Sequence, residues 1–153
     1  MRFWTWALEA YARPGAAEAC LDLQDRFGQN VPYLLWAAWA AREGRALDAE
    51  TLTAGAGLAG RWDASAVAPL RAARRAMKAS VEGVEDGARE GLRAEVKALE
   101  LRAEQLLIDT LEALAPAPAG APAALGPALT AAARAWPSEA SAQALDRLAQ
   151  TLS

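Results

Sequence analysis

The residues best equipped for chemistry lie in two stretches. Arg71, Arg74, Arg75 and Lys78 follow one another with no acid between residues 64 and 81. At helical spacing the four occupy adjacent positions on one side. Such a face can hold a phosphate, a nucleic-acid backbone or an acidic partner. It can equally be a solvated basic surface answered by Glu82, Glu85 and Asp86. No aromatic residue is interleaved, so nucleic acid is the less favoured partner. Arg71, Arg75 and Lys78 are therefore candidates for an anion-binding or partner-binding face.

Arg74 stands apart from the other three. The apolar steps Val67, Leu70, Met77 and Val81 run through its position, where a core residue is expected. An unpaired buried guanidinium is costly, so a carboxylate should meet it. The candidates are Glu100 and Glu104, the latter flanked at helical distance by Leu101, Leu107 and Ile108. The spacing predicts an Arg74–Glu100 or Arg74–Glu104 ion pair between two helices. The competing reading is an Arg74 that snorkels to the surface. Gln24, beside another apolar stripe, joins these three as a candidate polar cluster, structural or ligand-contacting.

Glu100 and Glu104 also form an E-x-x-x-E pair, but helical di-metal sites draw His from neighbouring helices, and this chain has no His. That absence excludes a Ser-His-Asp triad, a Cys-His dyad and His-ligated zinc or haem. The one cysteine, Cys20, forms no internal disulfide and builds no thiolate cluster. Gly55, Gly57 and Gly60 spell G-x-G-x-x-G, but no strand precedes them, so the phosphate-loop reading fails. No cofactor and no metal is expected. An enzyme using Arg74, Glu100 and Glu104 as anion clamp and acid/base ranks behind binding roles.

The elements that must position these groups are helices. Ala and Leu supply 63 of 153 residues, whereas Val, Ile and Thr supply 12, a balance hostile to sheets. Stripes at helical spacing predict helices at about 3–12, 14–27, 31–43, 49–62, 64–80 and 88–114. Asn30 and Asp48 read as N-caps and Gly28 as a stop. The third helix is apolar on all faces through Leu34, Leu35, Trp36 and Trp39, which places it at the centre of the core. The fourth carries three glycines, so it is either loose or closely approached by a neighbour. Four of the eight prolines fall in residues 116–127, a semi-rigid connector. The expected architecture is all-α: a compact bundle of about five or six helices over residues 1–115, the Pro/Ala-rich connector 116–127, and a helical tail 128–153 that can pack on the same domain. Six Trp is a high count for this length. Trp4, Trp6, Trp36 and Trp39 can line an apolar pocket, although filling an Ala-rich core is the favoured reading.

One resemblance adds to this. Trp4-Thr5-Trp6-Ala7, Tyr11, Pro14-Gly15, Ala19 to Asp25, Gly28, Asn30-Val31 and Leu34-Leu35-Trp36 resemble an uncharacterised family of small proteobacterial proteins, a domain of unknown function. Pro69-Leu70-Arg71, Arg74-Arg75, Lys78, Glu100-Leu101 and Glu104 are similar to its middle section. The similarity spans about residues 3–110 and departs at Pro32, where the family often has Asn. It implies a bacterial, cytoplasmic, all-helical protein and supplies no reaction.

The longest wholly apolar run, Val31 to Ala41, has 11 residues, against ~20 for a membrane span. No signal-peptide pattern opens the chain, so a cytoplasmic location is expected. The leading expectation is a non-enzymatic binding or accessory module with a protein partner or self-association. The alternative is a small-ligand binder with a Trp-lined, Arg/Glu-floored pocket between helices.

Overall fold

The computed structural model describes all residues 1–153. It is all-helical, with eight α-helices and no strand. These are α1 (Phe3–Tyr11), α2 (Ala16–Phe27), α3 (Val31–Arg42), α4 (Ala49–Trp62), α5 (Ala68–Ala76), α6 (Asp86–Leu114), α7 (Leu125–Ala135) and α8 (Ala142–Leu152). A π-helical turn, Asp63–Val67, fuses α4 to α5, so the chain forms seven helical rods. The sequence pattern led to a count of five or six plus a tail, with a break near Asp63. No break occurs there. Pro69 has no N–H, and its ring clashes with the carbonyl four residues back. The widened turn accommodates it: the Ala68 N–H reaches back five residues to the Asp63 carbonyl.

The third helix does occupy the centre. Tyr33 to Ala41 are nine consecutive buried residues, and α1, α2, α4, α6 and α7 all contact α3. The Asn30 side chain caps it by accepting from the Tyr33 N–H at 3.0 Å. Gly55 explains why α4 tolerates glycine. A Cβ there would lie 2.5 Å from the Trp36 ring, so the indole lies directly against the α4 backbone.

The C-terminal segment shares this core. Leu129, Leu148 and Leu152 are completely or almost completely buried; α7 lies on α3 and α4, and α8 on α2. The Tyr33 hydroxyl sits 3.1 Å from Leu52 O on α4 and 3.2 Å from Ala132 O on α7, joining three helices. The connector is fastened to the end of α3. Ala119 and Gly120 N–H groups donate to Gly44 O, and the Ala123 N–H donates to Ala41 O. The Arg13 guanidinium donates to the Leu152 and Ser153 carbonyls at 2.6 and 3.0 Å, which caps α8.

Candidate functional site

The predicted charge cluster forms between α5 and α6, with the partners shared out differently. Arg74 takes Glu100, with Nε donating to Oε2 at 2.5 Å and Nη2 to Oε1 at 3.3 Å. Arg71 bridges the two acids, with Nε donating to Glu100 Oε1 at 3.1 Å and Nη2 to Glu104 Oε1 at 3.2 Å. The side chain of Glu100 is 9 % exposed. Burial pushes its carboxyl up, but hydrogen bonds from Arg74 and Arg71 outweigh burial and hold it below the usual carboxylate range. Glu104 has only Arg71, and there burial wins, raising its carboxyl above the usual range. The Arg74 guanidinium is raised by its hydrogen bond to Glu100.

The structure places the residues of the expected basic face differently. Arg71 turns toward α6 and its head is spent on two carboxylates, so it does not join Arg75 and Lys78 in a common surface. Arg75 is exposed and meets Asp25 loosely at 3.7 Å. Lys78 is exposed just beyond the end of α5. The Trp set also divides. Trp36 and Trp39 are fully buried core residues, and Trp6 is buried. Phe3 stacks on Trp39 at 5.2 Å between centroids, and Trp39 Nε1 donates to Met1 O at 3.0 Å. Only Trp4, half-buried, reaches the groove described next.

A groove of about 360 Å3 runs between α1, α2, α3 and α6. Its lining is apolar, with Trp4, Leu35 and Ile108 among its residues. Leu8, Tyr11, Leu21 and Leu101 also line it and are 42–51 % exposed. Two polar side chains enter it, Gln24 and Glu104. Burial, then Cys20 and Glu104 nearby, push the Tyr11 hydroxyl above its usual value, so it stays a neutral donor. The Cys20 thiol is pushed up to about 12 by burial and is no nucleophile near neutral pH.

A smaller polar cavity of about 170 Å3 adjoins the groove. Gln24, Val31, Pro32 and Glu104 line both. To these the cavity adds Arg71, Asp63, Gln29 and Trp136. Asp63 stands on the π turn. Burial raises its carboxyl above the usual range, opposed by the charge of Arg71. Gln29 is 3 % exposed, and Trp136 Nε1 donates to Gly28 O at 2.8 Å, holding the C-terminal end of α7 across the cavity rim. The sequence pattern singles out neither Asp63, which falls between the helices it places at 49–62 and 64–80, nor Gln29. The only local signal for Gln29 was a polar residue between the Gly28 stop and the Asn30 cap.

No helix is long and apolar enough to cross a membrane, and no group of three or more Cys, Asp or Glu side chains is placed to hold a metal ion. No curated protein and no solved structure matches the chain. One family does: residues 2–111 match the family described as "Protein of unknown function (DUF2390)". The match takes in α1 to α5 and most of α6, and with them the groove and the Arg71–Arg74–Glu100–Glu104 cluster, but not α7 and α8. By this match over more than two thirds of its length, the chain belongs to that family of unknown function.

Proposed function

We propose that the protein is a binding module whose groove between α1, α2, α3 and α6 receives the apolar face of a short segment of a partner protein. The observation that carries this reading is the rim: Leu8, Tyr11, Leu21 and Leu101 stand about half exposed around one apolar concavity. Large apolar side chains grouped at a groove mark interaction surfaces, and helices commonly dock in such grooves. Covering the exposed half of four such side chains releases roughly 4 kcal/mol by area. Association costs at least about 4 kcal/mol, so net binding requires the partner to bury a comparable apolar face in return. The guanidinium–carboxylate cluster serves this role by holding α5 against α6 and keeping the groove wall rigid.

A second reading, a small ligand with an apolar body and a polar head, is favoured by one observation. Glu104 and Gln24 interrupt the groove's apolar lining where it meets the polar cavity. Of the four tryptophans proposed for a pocket, only Trp4 supports it.

Native mass spectrometry of the protein purified from its own cells tests the first reading. The expected result is a partner chain bound to wild type and to L92E, and absent from the double variant L21E/L101E. Leu92, Leu99 and Leu106 form the other half-exposed apolar row, on α6. Loss of the partner in L92E with retention in L21E/L101E would move the interface to that row and overturn the reading. A small adduct in place of a partner chain would select the second reading.

A further inference from the structure

The polar cavity beside the groove is lined by two carboxylates, Asp63 and Glu104, and lies beside an unpaired acceptor. Gln29 Nε2 donates to Ser138 O at 2.7 Å and to Phe27 O at 3.3 Å. Both are carbonyls, which only accept, so the amide can face one way only. Its Oε1 is buried and has no partner. A buried acceptor left unpaired is costly, so an unmet donor is the missing component. Glu104 gives one carboxylate oxygen to Arg71 and keeps the other. Asp63 adds a carboxylate that makes no ion pair and feels the charge of Arg71. Counting the groups behind the wall, three carboxylates (Asp63, Glu100, Glu104) face two guanidiniums (Arg71, Arg74). The start of α3 does not reverse this charge balance: Pro32 has no N–H, the Tyr33 N–H is held by Asn30, and the remaining Val31 N–H is a neutral donor.

We propose that this cavity binds a primary ammonium or guanidinium group, whose apolar stem passes Gln24, Val31, Pro32 and Glu104 into the groove. The group brings two or more donors to Asp63 and Glu104, beside the unpaired Gln29 Oε1, together with the one positive charge the cluster lacks. An anion would meet two carboxylates and an orphaned acceptor. The proposal rests on the cavity and holds whether the cation is a Lys or Arg side chain of a partner segment or the head of a free alkylamine.

The test is titration of the full-length, 15N-labelled chain with n-hexylamine, n-hexanol and hexanoate, followed by amide shifts. Hexylamine is expected to move the Gln29 side-chain amide and to bind at least about tenfold tighter than hexanoate, the margin expected when a site built for a donor meets an acceptor. D63N is expected to remove that preference with its thermal melt unchanged, and E104Q to weaken it. Two apolar helical peptides, one with Lys and one with norleucine at the same position, separate the sources. A Lys advantage that D63N erases identifies a partner side chain, whereas a hexylamine preference with no Lys advantage identifies a free amine. Equal binding of hexylamine and hexanoate, or a hexylamine affinity indifferent to D63N, would overturn the cavity proposal. If hexanol and the norleucine peptide still bind in that case, the groove reading survives; if no probe binds, both fall.

Discussion

Replacing Glu100 with Gln removes the charge at the centre of the α5–α6 contact while keeping the side chain's shape. Glu100 accepts three hydrogen bonds, two from Arg74 and one from Arg71. Each is charge-assisted and worth ~1.5–3 kcal/mol alone. They are not additive, and the Gln oxygen retains one. The two guanidinium side chains are 18 % and 22 % exposed, so water relieves part of the loss. Breaking a buried pair from one side costs about 3–5 kcal/mol, and partial access of water places this case near ~3 kcal/mol. With a urea slope of ~2 kcal/mol/M, the midpoint falls by ~1.5 M. Urea titration followed by circular dichroism at 222 nm reads this directly in an all-helical chain. The double variant R74M/E100M should recover at least about half the loss, because a matched apolar pair carries no desolvation penalty. A midpoint within about 0.2 M of wild type for E100Q would make the cluster an ordinary surface ion pair and refute the reasoning.

Three further outcomes follow from the same geometry. Glu100 is held below the usual carboxylate range, so its stabilisation is complete above the unfolded value and lost as pH falls through the folded one. E100Q should therefore flatten the acid limb of a stability-versus-pH curve. Glu104 is raised, so the folded state holds its proton longer, and its contribution declines as pH rises through the raised value. That decline should be absent from the same curve measured on E104Q. Gly55→Ala gains ~1 kcal/mol of helix propensity but drives a methyl into the fully buried Trp36 ring, where overpacking costs ~1–3 kcal/mol. A net loss of up to about 2 kcal/mol is expected, whereas Gly91→Ala, with nothing within 4 Å of the added carbon, should gain ~0.5–1 kcal/mol; paired urea titrations distinguish them.

Much of the fold is legible because the apolar pattern is local. The all-round apolar surface of residues 31–41 requires a surrounded helix, and α3 is surrounded. Arg74 in an apolar register requires a carboxylate, and Glu100 supplies it. The π turn was not legible, since the pattern breaks between residues 62 and 64 and cannot show that Pro69 is absorbed by widening one turn. The pairing of Arg71 with Glu100 and Glu104 was not legible, because adjacency on a helix does not say which of four cations its neighbour claims. Gln29 and Asp63 were beyond reach for another reason. Gln29 is oriented by Ser138 O, 109 residues away in sequence, and the two meet at the cavity only once α4 and the tail are in place. Six tryptophans signalled bulk, but which of them meets solvent depends on the packing of four helices.

The central claim is that the groove, not another face, is where this protein meets its partner. Site-specific photo-crosslinking in cells, with a photoreactive side chain at Leu101 in one strain and at Leu92 in another, tests it most directly. The account predicts a discrete crosslinked product from position 101 that the additional change Leu21→Glu abolishes, and none from position 92. A product from position 92 alone, or one from position 101 that survives Leu21→Glu, would contradict it.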